Sequence, residues 1–152
     1  MKIKITVSQN QEKLERFLDV VPNFLNAEIS KALWVGGKNT VKTVIEQSRE
    51  QKSGVAGIVY KNGRRYKVVR SAPNETSAQQ TGKKNKATKF NVNQNTLQIG
   101  ITNDVKYASF VELGTKNMKA RGDLQVGLNK NKDLIVDDVK VRVKSIFDNM
   151  FK

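Results

Sequence analysis

The chain predicts an α+β domain, an antiparallel or mixed sheet packed against a long N-terminal helix and a C-terminal helix. Three observations carry this. Apolar residues recur at helical spacing through the first third and again near the end. Between these stretches, Asn62-Gly63 stands between two short alternating segments, the strongest local signal for a two-residue hairpin. A second alternating pair, Phe90-Asn91-Val92 and Leu97-Gln98-Ile99-Gly100-Ile101, follows after a polar stretch.

Met1-Lys2-Ile3-Lys4-Ile5-Thr6-Val7 alternates like a strand rather than forming the apolar block of a signal peptide. Ser8 or Asn10 is suited to cap a helix starting near Gln11, with Leu14, Phe17, Leu18 and Val21 on one face. Pro22 either interrupts that helix or occupies the first turn of the next. The pattern resumes at Phe24, Leu25, Ile29 and Leu33 and continues to Ile45, predicting a long helix from about Asn23 to Glu50. Gly36-Gly37 in its middle costs about 2 kcal/mol of helix propensity. These glycines therefore predict a bend or a close approach by a neighbour. Trp34, the one tryptophan, reads as a core or interface anchor.

Residues 71–88 lose their apolar content and predict a long mobile loop, basic in its second half. A second basic, glycine-containing loop is expected at 116–132. The last helix is then read from Leu134 onward through Val139, Val143, Ile146 and Phe147. Asp137 and Asp138 fall near its start, as macrodipole partners. No linker separates two cores, so residues 1–152 are read as one domain.

Composition narrows the function classes. The 152 residues contain no cysteine and no histidine, which removes thiolate chemistry, disulfides and the commonest general base and metal ligand. No catalytic residue, metal or cofactor is expected. No stretch approaches the roughly 20 apolar residues of a membrane span. With 28 basic and 14 acidic residues the net charge is +14, which attracts nucleic acid, an acidic protein surface or an anionic membrane, and a merely solvated surface accounts for it at least as well as a dedicated DNA site. Lysine outnumbers arginine, which disfavours sequence-specific reading of bases. Candidates for partner or DNA contact are Arg64, Arg65, Lys83, Lys84, Lys86, Lys89, Lys116, Lys119 and Arg121. Tyr60 and Tyr66 interleave with the first of these as on single-strand binding surfaces, but cross-strand packing is the better account of them. Arg121-Gly122-Asp123 reads as a loop turn, and Thr81-Gly82-Lys83-Lys84 lacks the upstream strand and glycine of a phosphate loop.

Tyr107-Ala108-Ser109-Phe110-Val111-Glu112-Leu113-Gly114-Thr115 is the most distinctive stretch. Tyr107 and Val111 share a helical face that would hold a short helix on the sheet, and Gly114 stands where helices end in a left-handed conformation. Glu112 reads as a structural salt bridge or a loop-capping bond. With Ser71-Ala72-Pro73, Thr81-Gly82, Leu97 to Ile101, Met118 and Ala120, the series Tyr107-Ala108, Val111-Glu112 and Gly114-Thr115 resembles the phage tail-completion, or head–tail joining, family. The likeness covers about half the chain. Arg121-Gly122-Asp123-Leu124 departs from the family's Arg-Pro-Phe-like segment, and Lys83 to Thr88 departs from its leucine- and serine-bearing helix.

The resemblance implies a virion structural protein, made in the host cytoplasm and placed at the head–tail junction. It implies a homo-oligomeric ring, a hexamer, docked between a head connector or stopper and a tail terminator or tail-tube protein, with non-specific contact to packaged DNA possible and no membrane. The alternatives from other classes are a sequence-independent nucleic-acid-binding domain and, third, a small enzyme using lysine and carboxylate.

Overall fold

A computed structural model describes the backbone of residues 11–150 apart from 74 and 79–81, with side chains described from residue 21 to 149. Elements run α1 (Gln11–Arg49), β1 (Ala56–Lys61), β2 (Arg64–Val69), α2 (Lys83–Ala87), β3 (Thr88–Asn93), β4 (Gln98–Asn103), α3 (Ala108–Leu113) and α4 (Asp123–Met150). The architecture is α+β, with α1 packed on both α4 and the β3–β4 pair. The sheet is two separate antiparallel hairpins, β1–β2 and β3–β4. The strand read at Met1 to Val7, and its capping residues Ser8 and Asn10, lie outside the described residues.

The long helix forms where apolar spacing predicted it, but it runs unbroken through Pro22. Gly36 and Gly37 mark a close approach. A methyl group on Gly36 would stand 2.4 Å from Ile135 of α4, and one on Gly37 2.4 Å from Phe90 of β3. Gly127 of α4 answers in kind, because a methyl group there would lie 2.3 Å from Val44 of α1. Glycines on both helices thus let their surfaces come close, and Ala32, Leu33 and Val44 of α1 are buried. Polar ties reinforce this contact. Asn131 donates to Thr43 Oγ1 at 3.0 Å, and Arg142 bridges Glu28 of α1 and Asp138 of its own helix at 3.2 and 3.0 Å. Trp34 meets Phe90 edge-to-face with centroids 5.8 Å apart, joining α1 to β3.

Two expected boundaries change. Residues 71–88 are not all loop, for they include α2 and the first residue of β3. The segment 116–132 is loop only as far as Gly122, where α4 begins about a third of its length earlier than expected. Asp137 and Asp138 consequently sit in the middle of α4, where the terminal dipole has faded, and are engaged by Lys140 and Arg142 instead.

Candidate functional site

The segment that begins α4 gathers most of the residues singled out in the sequence. Tyr107 opens α3, whose single buried residue is Ala108, and Val111 is half-buried. The short helix packs against α4, so the expected seat on the sheet is not what holds it. Gly114 ends it with φ +80 and ψ −180, a positive φ but outside the left-handed helical well. A side chain there would meet the Ala120 N and Met118 O at 2.7 Å, which restricts the position to glycine. Thr115 then exchanges backbone hydrogen bonds with Met118, its own N–H donating at 2.7 Å.

This turn delivers Arg121 and Asp123 to the 71–78 loop. The Arg121 guanidinium donates to the carbonyls of Ala72 (2.6 Å), Glu75 (2.9 Å) and Ser71 (3.2 Å), while its backbone N–H donates to Val111 O. Asp123, 2% exposed, accepts the Ser77 N–H at 2.8 Å and also the Ser77 hydroxyl and the Lys84 ammonium. Glu112 accepts the Leu124 N–H symmetrically at 3.1 Å on both oxygens, capping the first turn of α4. Of its two expected roles, the loop-capping bond is the one observed. Burial pushes the Glu112 carboxyl above the usual carboxylate range, against the Leu124 N–H and the charge of Lys84. Burial likewise pulls Lys84 down to about 8, with Glu112 opposing and Arg121 adding to the fall. Contact with Asp123 favours its charged form.

A third carboxylate closes the loop from its other side. Glu75 accepts the Ser53 hydroxyl (2.6 Å), the Ser53 N–H and the Ala72 N–H (2.8 Å). These bonds, led by the Ser53 hydroxyl, hold its carboxyl below the usual range. A cleft of about 510 Å³ opens beside the group, lined among others by Ser77, Lys84, Tyr107, Met118 and Arg121. Its two inner cations are already committed, Lys84 to Asp123 and Arg121 to carbonyls, so the arrangement anchors backbone rather than offering charge to a ligand.

The remaining candidates lie apart from it. Arg64 and Arg65 are exposed on the β1–β2 hairpin. Lys83 and Lys86 are exposed on α2, and Lys116 and Lys119 in the turn after Gly114. Lys89 pairs with Asp104 across the base of β3–β4 at 3.0 Å. Sequence reasoning passed over Asp123, Glu75 and Ser77. An acid just ahead of Leu124, Val126 and Leu128 was the available signal, since that is where helix first turns carry one.

Comparison of the chain with protein-family models, curated proteins and solved structures returned no match. Among the described residues no helix is long and apolar enough to cross a membrane.

Proposed function

We propose that this chain is a non-enzymatic virion subunit, a ring-forming adaptor that completes a phage tail and joins it to the head connector. The observation that carries the reading is an apolar stripe on the very helix that bears the family-like motif. Tyr107, Phe110 and Leu113, three residues apart, are 44%, 56% and 82% exposed. Phe110 and Leu113 of the six-residue helix, with Tyr107 at its N-cap, support a docking face in this reading, because a monomer gains nothing by leaving them in water. Leu134 and Val141, exposed one above the other on α4, extend the same character. The anchored turn from Gly114 to Asp123 suits such a role, since it fixes α3 against α4 at the contact point.

In this reading, copies of the chain close into a ring, a hexamer by the resemblance, between a head connector or stopper and a tail terminator or tube protein. Ring symmetry multiplies weak contacts into a durable joint. The test mixes purified protein with tailless heads and with free tails and follows association by sedimentation and electron microscopy. Association with at least one particle, and its loss in Phe110→Asp/Leu113→Asp protein that still folds, is the expected result. Failure to associate with either particle would overturn the reading.

A further inference from the structure

The β1–β2 hairpin segregates charge more sharply than any other part of the molecule. From residue 51 to 74 the chain carries six cations, Lys52, Lys61, Arg64, Arg65, Lys67 and Arg70, and no carboxylate. Register distributes four of them around the tip. Lys61 faces Arg64 on one side of the ribbon, with Tyr66 following. Arg65, opposite Tyr60, and Lys67, opposite Ile58, occupy the other side. All four are exposed, and none takes part in an ion pair among the described residues. Neither strand packs extensively on a helix.

Cations on both faces constrain the partner. An acidic patch on a folded protein lies against one face and leaves the other idle. A duplex groove flanks an inserted ribbon with phosphates on both sides, and a major groove about 12 Å wide admits a two-stranded ribbon. The same arm of a second copy, carrying the same cations, would meet like charge, whereas a polyanion is drawn to it. The geometry points to the β1–β2 hairpin as a sequence-independent nucleic-acid arm that enters a duplex groove, Lys61 and Arg64 meeting one phosphate wall and Arg65 and Lys67 the other. The Asn62-Gly63 turn leads, its φ of 51 and 72 being the positive values of a tight two-residue hairpin turn. This assignment stands independently of any role in joining heads to tails.

Fluorescence anisotropy with a short mixed-sequence DNA duplex, titrated between about 50 and 200 mM salt, tests it. Four phosphate contacts contribute about 3 to 4 to the slope of log affinity against log salt, close to a hundredfold weakening over that range. Lys61→Gln/Arg64→Gln/Arg65→Gln/Lys67→Gln protein should lose that part of the slope while keeping its circular dichroism and melting temperature. Lys106→Gln/Lys130→Gln/Lys132→Gln/Lys144→Gln protein removes equal charge elsewhere and should keep it. Each face's pair alone should account for about half. Absence of duplex binding by the unaltered protein at about 50 mM salt would overturn the proposal and leave the hairpin to an acidic protein. So would equal losses in both quadruple variants, the whole loss residing on one face, or tighter binding of the single strand.

Discussion

The start of α4 and the tip of the β1–β2 hairpin are both rich in charge, yet they use it in opposite ways. Beside Asp123, three charged groups are turned inward and matched: Lys84 by Asp123, Arg121 by three carbonyls, Glu112 by the Leu124 N–H. At the hairpin four cations face water on both sides of a ribbon, and none takes part in an ion pair among the described residues. Charge taken out of water must be paired to be tolerated and then fixes geometry, whereas charge left in water adds little to stability and remains available to a partner. One region therefore determines what the chain is shaped like, and the other what it attracts.

Substitutions should separate the two. The largest effect is expected from Asp123→Ala, which leaves the Lys84 ammonium and the Ser77 N–H without their acceptor in a buried site. Urea unfolding should show a loss of about 3–5 kcal/mol. A loss under about 1 kcal/mol would mean that the group is not an anchor. Adding Lys84→Met should recover part of the loss, because the stranded charge goes with it. Gly114→Ala comes next, at about 1–3 kcal/mol in thermal unfolding, from positive φ and backbone collision together.

Glu112→Gln should act mainly through pH. The folded carboxyl titrates above its ordinary value of 4.5, so between the two values the folded state holds the proton that the unfolded state has released. The stability it contributes is fully present below 4.5 and is lost as pH rises through the folded value. Denaturation curves of the Gln variant across mildly acidic pH should lack that fall. Glu75 runs the other way, its lowered carboxyl contributing stability above 4.5 that is lost on acidification through its folded value. The smallest effect belongs to the hairpin, where the quadruple glutamine variant should shift stability by less than about 0.5 kcal/mol. A larger shift would show that the arm is part of the fold after all.

The contrast also explains what the sequence disclosed. Both hairpins and the long helix were legible because their signals are local: Asn62-Gly63, alternation, and three- and four-residue spacing. The onset of α4 was not. Gly122, Gly127 and Asn131 look like loop residues, yet Gly127 makes room for Val44 and Asn131 is buried against Thr43. Arg121-Gly122-Asp123 passed for an ordinary turn because its side-chain partners lie 39 to 50 residues upstream, beyond any window of periodicity. Glu112 was readable because a carboxylate beside a chain reversal has few structural uses. The hairpin cations were visible as composition, but only register shows that they occupy both faces.

The long reach of Arg121 has a consequence for how the protein is made. The hairpin closes on itself, every rung joining residues the ribosome releases within moments of one another. The 71–78 loop waits for a guanidinium encoded as many as 50 residues later. At ordinary elongation rates of about 5–20 residues per second, that is roughly 2.5–10 s of synthesis. Until then its carbonyls are hydrated and its course is unset. The residues of the cationic arm are thus all synthesised before those of the frame that will hold it, and a message truncated ahead of Arg121 would yield the arm's residues without the frame.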